Sequence, residues 1–153
     1  MIIDLTNMPP EGVYLKGEEP SGVLELKDEL FFEEASPVGF DLYVQSVCGE
    51  LIVRGKVWVE VKTECSRCTD FFSTNVSDSS FLRTFPLTGG EVELDVTEDV
   101  REAILLSLPL FPLCDEECKG LCPQCGKNLN KGPCGCTEEE GPSAFDALDG
   151  LKL

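Results

Sequence analysis

A chain of 153 residues, with 12 Lys and Arg against 29 Asp and Glu and a net charge of −17, is long enough for one domain with a true core. That charge disfavours nonspecific attraction to a polyanion. The chain has no histidine, which excludes Ser-His-Asp and Cys-His catalysis and every His-ligated zinc hydrolase, and leaves 9 cysteines as the soft metal ligands.

The opening residues, Met1 to Leu5, lack a basic region followed by a continuous apolar run, so no export signal is read there. The longest strongly apolar stretch, Ala103 to Leu113, is short of a membrane span and carries two prolines. A cytoplasmic protein without membrane contact is expected. Thiols stay reduced in that compartment, so clustered cysteines point to metal or redox chemistry before disulfides.

In chain order, residues 1–39 are acidic and weakly patterned, with Val23 to Leu26 as a short strand candidate between turn residues. Leu42 and Val44 then alternate with Tyr43 and Gln45. Leu51, Val53, Val57, Val59 and Val61 share one face, while Ile52, Arg54, Lys56, Trp58, Glu60 and Lys62 share the other. That period of two predicts a half-buried antiparallel strand, with Cys48-Gly49-Glu50 as a hairpin turn before it. A further strand is predicted between Phe71 and Phe85, interrupted at Ser77 to Ser80, and Val92 and Leu94 alternate briefly. One helix begins near Thr97. Asp95 or Thr97 can cap it, Glu98 and Asp99 suit its positive end, and Val100, Ala103, Ile104 and Leu108 form its apolar stripe. Pro109 and Pro112 end it.

The expected fold is α+β: a mostly antiparallel, β-rich core over residues 1–113 with one main helix, followed by a Cys-rich zinc-binding segment over 114–137 docked on that core. Residues 138–153 read as an acidic linker and a short amphipathic segment, with Phe145, Leu148 and Leu151 at intervals of three.

Eight cysteines fall into four close pairs: Cys65 with Cys68, Cys114 with Cys118, Cys122 with Cys125, and Cys134 with Cys136. Two intervening residues fold into a knuckle whose sulfurs both reach one ion at about 2.3 Å. In Cys122-Pro123-Gln124-Cys125-Gly126, the proline shapes the turn and the glycine permits the backbone to double back. Loop closure favours Cys122, Cys125, Cys134 and Cys136 around one zinc and Cys65, Cys68, Cys114 and Cys118 around a second. A rival scheme joins Cys114 and Cys118 to Cys122 and Cys125. All-cysteine zinc sites are usually closed and structural. An iron–sulfur cluster and a redox CxxC couple are the functional rivals, but Thr69 to Val76, after Cys65, does not read as the helix that a redox couple opens. Cys48 is unpaired and reads as a buried, inert thiol.

Positive islands lie around the knuckles. Arg54, Lys56, Lys62 and Arg67 mark one, and Lys119, Lys127 and Lys131 the other. With Trp58 on the face of Arg54, Lys56 and Lys62, such a surface can hold phosphates and stack a base, so these eight residues are the candidate RNA contacts. Lysines beside four thiolates also serve simply to offset charge.

The ordered set Glu64-Cys65-Ser66-Arg67-Cys68, Leu106-Ser107-Leu108-Pro109, Pro112-Leu113-Cys114, Gly120-Leu121-Cys122-Pro123-Gln124-Cys125-Gly126-Lys127-Asn128-Leu129-Asn130 and Pro142 to Lys152 resembles the YceD family, the large ribosomal RNA subunit accumulation proteins. The resemblance runs from about Phe40 to the C-terminus. It implies a non-enzymatic ribosome-biogenesis factor that supports synthesis, processing or stability of large-subunit (23S) rRNA, with that rRNA or its precursor as partner. An acidic adaptor for a basic large-subunit ribosomal protein is the alternative, and no catalytic residue is implied.

Overall fold

The computed structural model describes residues 1–26, 32–90 and 92–136. Among these residues seven strands and one α-helix follow one another: β1 (Ile2–Asp4), β2 (Val13–Glu19), β3 (Glu33–Glu34), β4 (Val38–Val47), β5 (Glu50–Glu64), β6 (Phe71–Pro86), β7 (Glu93–Asp95) and α1 (Thr97–Ser107). All strand pairs are antiparallel. The α+β fold with one main helix, expected from the alternation, is the fold observed.

β5 is the spine. It pairs with β4 and then β3 along one edge and with β6 along the other, while β2 extends the sheet beyond β4. β1 and β7 form a separate two-stranded ribbon. The β4–β5 connection is a two-residue hairpin in which Cys48 and Gly49 both have positive φ, 51° and 85°. Such a turn matches the twist of the flanking strands but strains any residue with a Cβ, which is why one of its two positions is glycine. Cys48 is consequently exposed at the tip, not buried as its lack of a partner suggested.

The apolar positions of β4 and β5 turn inward. Leu42, Val44, Leu51, Val53, Val57, Val59 and Val61 are buried in one core with Val76 and Phe81 of β6 and with Val100, Ala103, Ile104 and Leu108 of the helix end of the chain. Each such side chain withdrawn from water contributes about 1.5–3 kcal/mol before conformational entropy is charged against it. Arg83 of β6 bonds Asp99 at 3.2 Å and Glu102 at 3.1 Å, pinning the outer side of α1 to the sheet.

Three details differ from the sequence expectations. β6 is continuous, and the polar run at Ser77 to Ser80 is a bulge: Gly55 pairs with Phe81 and Val57 with Asp78, so two residues of β6 oppose Lys56 alone. Residues 21–24 form a turn instead of a strand, with Leu24 and Leu26 as buried plugs and Glu34 accepting from the amides of Gly22 and Leu24. β2, which pairs residue by residue with β4, was not anticipated, because Gly17 and four charged residues between 11 and 19 mask its alternation. At α1, Val96 occupies the cap position, and Asp95 accepts from the Thr97 amide at 3.0 Å. Leu108, before Pro109, is extended at ψ 135°, which ends the helix there. The segment expected over residues 138–153 lies outside the described residues.

Candidate metal centres and an exposed basic face

Cys65 directly follows β5, and a tight turn carries the chain to β6. Thr69 donates its amide to the Cys65 carbonyl at 2.9 Å with a positive φ of 60°, and Cys65 donates to Asp70 at 3.0 Å. This hairpin aims Cys65 and Cys68 at the segment after α1, where Ser66 donates its amide to the Pro112 carbonyl at 2.8 Å. Cys114 and Cys118 arrive from that segment. The four sulfurs all lie within 4.8 Å of one another, with Cys65 to Cys118 at 3.8 Å and Cys68 to Cys114 at 3.6 Å. Four thiolates at 2.3 Å from a tetrahedral ion stand about 3.8 Å apart, so the donor set fits such an ion. Three of the four are buried, and Phe72 and Leu113 pack against them.

The second set is Cys122, Cys125, Cys134 and Cys136, again within 4.8 Å, with Cys134 at 3.4 Å from Cys122. The knuckle closes through the Cys122 amide on Lys127 and the Gly126 amide on Cys122, with Gly126 at φ 72°, the conformation its lack of a Cβ permits. Leu121 and Asn128 form an isolated antiparallel bridge, and a 3₁₀ turn at Leu129–Lys131 leads to the last two cysteines. The grouping is the one loop closure favours.

The two sets form a connected unit. Asn130 donates to the Cys118 sulfur at 3.2 Å and accepts the Lys119 amide at 2.8 Å. Asp70 accepts from Asn128 and from Lys131, both at 2.9 Å, and Leu121 donates to the Arg67 carbonyl at 3.1 Å. Neither Asp70, Asn128 nor Asn130 stood out as a site residue in the sequence. Short polar side chains after a glycine turn are ordinary there, and only the fold shows that they join the two centres.

The electrostatics of each set are compatible with a cation at its centre. Burial raises the Cys65 thiol, but amides of Cys114, Arg67 and Cys68 outweigh it and bring it down to about 6. Amides of Cys125 and Gln124, with the Cys134 thiol, lower Cys122 to about 6. Their neighbours go the other way. Desolvation and the adjoining sulfurs push Cys114 up to about 12, and the Cys125 sulfur leads the same effect at Cys136, also to about 12. In each set one thiol is thus favoured as a thiolate while a neighbour is held protonated, because like charges crowd. A bound cation reverses that and deprotonates the coordinating thiols.

The basic residues separate into two groups. Arg54, Lys56, Trp58 and Lys62 alternate along the outward face of β5 and stand on one surface. Arg67, Lys119, Lys127 and Lys131 belong to the cysteine unit, and three of them are engaged within it: Arg67 on the carbonyls of Glu116 and Cys118, Lys127 on Pro133, Lys131 on Asp70.

The fold and the site define a β-rich protein with two four-cysteine centres able to hold metal ions, the first of which joins the β5–β6 turn to the segment after α1. Residues 78–152, nearly half of the chain and including α1 and six of the eight clustered cysteines, match the family model described as "Large ribosomal RNA subunit accumulation protein YceD". The chain is similar to the large ribosomal RNA subunit accumulation protein YCED homolog 1, chloroplastic, of Arabidopsis thaliana, at 37% identity over 60 residues, 39% of this chain and 19% of that one. It is 28% identical over 142 residues to an uncharacterized protein of Mycobacterium tuberculosis, covering 76% and 69% of the two chains. An uncharacterized protein of Mycobacterium leprae is 28% identical over 111 residues, 63% of this chain and 51% of that one. The chain thus spans about a fifth of the Arabidopsis relative and about half of the M. leprae one. No solved structure matches it. The resemblance to the YceD family is thus borne out over residues 78–152, which carry six of the eight clustered cysteines and the C-terminal motif. No helix among the described residues is long and apolar enough to cross a membrane.

Proposed function

We propose that this chain is a non-enzymatic factor that supports accumulation of large-subunit ribosomal RNA in the cytoplasm, held in shape by two structural zinc ions. The match of residues 78–152 to a family named for that accumulation carries the reading. Zinc suits the donor sets because four thiolates fill a tetrahedral ion and leave no position open for substrate or water, as a structural site requires. Residues 1–113 then act as the core, 114–137 as the metal-bound segment docked on it, and 138–153 as a linker and amphipathic end. The factor acts through contact with the rRNA or its precursor. Arg54, Lys56, Trp58 and Lys62 are the principal contacts, and Lys119 is the accessible cation of the cysteine unit.

A second reading is favoured by one observation, the net charge of −17. An acidic surface of that size can hold a basic large-subunit ribosomal protein until assembly. Crosslinking in cells, with the bound RNA sequenced and the bound proteins identified, separates the two. Enrichment of large-subunit rRNA or its precursor is expected, together with loss of that rRNA on depletion of the factor. Normal rRNA levels on depletion would overturn the function, and enrichment of a basic ribosomal protein without RNA would replace the first reading by the second.

A further inference from the structure

The outward face of the five-stranded sheet is uncovered among the described residues, and its composition is unusual for a solvent face. Register places Tyr14 of β2 beside Tyr43 of β4, Tyr43 beside Arg54 of β5, and Asp41 beside Lys56. The rings of Tyr14 and Tyr43 stand 4.7 Å apart, and the Arg54 guanidinium lies 5.1 Å over Tyr43. The Lys56 ammonium lies 5.6 Å over Trp58. Neither Arg54 nor Lys56 has a carboxylate within ion-pair distance among the described residues, although the chain carries 29 acidic residues. Their charges rest on aromatic rings and remain available to an anion.

Two depressions interrupt this face. One, of about 540 Å³, is lined by Tyr14, Tyr43 and Arg54, and the other, of about 620 Å³, by Lys56 and Trp58. Asp41 and Gly55 line both and form the ridge between them. At Gly55 the two strands approach so closely that a Cβ there would stand 2.1 Å from the Asp41 carbonyl oxygen. Trp58 is seated on Gly39, where a Cβ would meet the indole at 2.3 Å, and the Tyr43 hydroxyl donates to the Glu11 carbonyl, so both inner rings are held in place.

We infer that this face binds single-stranded RNA, with one unpaired base stacked on Trp58, a neighbouring base on Tyr14 and Tyr43, and Arg54 and Lys56 on the flanking phosphates. The inference rests on the reading of the chain as an RNA-contacting factor and names the ligand and the place. Planar rings side by side with cations free of carboxylates fit a strand that alternates flat bases with phosphates. Acids on the same face, Glu18, Glu33, Asp41, Glu50, Glu60 and Glu64, are interleaved with the cations, which disfavours a duplex that presents two dense rows of phosphate. Asp41, between the depressions and 3.3 Å from Lys16, can accept from an exocyclic amino group of either base. Attraction to phosphate acts within about 8 Å at physiological salt, so the face works despite the charge of the whole chain.

Trp58 is the only tryptophan, so its fluorescence reports on this face alone. Titration of the intact protein with a ten-nucleotide single-stranded RNA of mixed sequence should quench it, while a blunt RNA duplex should not. Tyr14 is 77% exposed, so Tyr14→Ala should leave the melt unchanged and weaken binding about five- to hundredfold. The double variant Arg54→Gln, Lys56→Gln should flatten the slope of log affinity against log salt by about 1.4. Binding without quenching, unchanged by Tyr14→Ala and lost in Lys119→Gln, would overturn this site while leaving RNA contact intact. No binding of the single strand, with capture of a basic ribosomal protein, would overturn both.

Discussion

Replacing Cys65 by Ser tests whether the first centre organises the whole domain. A shared ion acts as a cross-link between segments 46 to 53 residues apart, against 12 for Cys122 and Cys134 in the second centre. On the chain-entropy argument, cross-links closing loops of those sizes are worth about 4 and about 3 kcal/mol. The smaller difference between the numbers matters less than what each loop encloses. The first contains β6, β7 and α1, with the core residues Val76, Phe81, Val100, Ala103 and Ile104, whereas the second contains only the knuckle and the 3₁₀ turn. Cys65→Ser should therefore lower the thermal midpoint of the metal-loaded protein by about 8–16 °C, at about 2–4 °C per kcal/mol for a chain of this size. Cys134→Ser should leave the midpoint of the core within a few degrees and raise amide hydrogen exchange only over residues 119–136. Differential scanning calorimetry and exchange mass spectrometry on the two variants read both effects. Equal falls in the midpoint would refute the assignment of the first centre as the one that holds the domain together.

Metal analysis of protein purified under reducing conditions should give close to two zinc ions per chain; iron with labile sulfide, or a folded reduced protein without metal, would reject the zinc reading. Acid should release the metal, since a bound ion requires its ligand thiols deprotonated and protons compete with it for the sulfurs as pH falls, so the stability that the ion lends is lost in acid. Gly55→Ala should cost about 3 kcal/mol or more, because a Cβ would meet the β4 backbone at a φ of 152°, while Gly49→Ala, with open space around it, should cost about 1 kcal/mol; urea unfolding compares them. Asp95→Ala should cost about 1 kcal/mol by removing the acceptor of the Thr97 amide. Hydrogen bonds from Thr97 hold Asp95 below its usual value, so its contribution is full above that value and lost as pH falls through the lowered one; a stability difference between the wild type and the alanine variant that persists unchanged into strong acid would reject it.

The sequence by itself determined the parts whose cause is local. The alternation from Leu51 to Val61, the Cys48-Gly49 turn, the apolar stripe of α1 and the knuckles at Cys65 and Cys122 each depend on residues a few positions apart, and each was legible for that reason. The Cys122 centre was almost as accessible, since its sulfurs lie within one short loop. Tertiary structure decided the rest. β2 pairs with β4 across 25 residues at Lys16 and Asp41, and its charged residues hid a strand that only its partner reveals. The bulge opposite Lys56 and the close approach of the β4 backbone to Gly55 are both relations between strands that composition does not encode. Asp70, Asn128 and Asn130 became members of the cysteine unit only when the β5–β6 turn met the segment after α1. Tyr14 and Tyr43 became neighbours of Arg54 only through sheet register, because side chains from three strands share a face by position across the sheet and not along the chain.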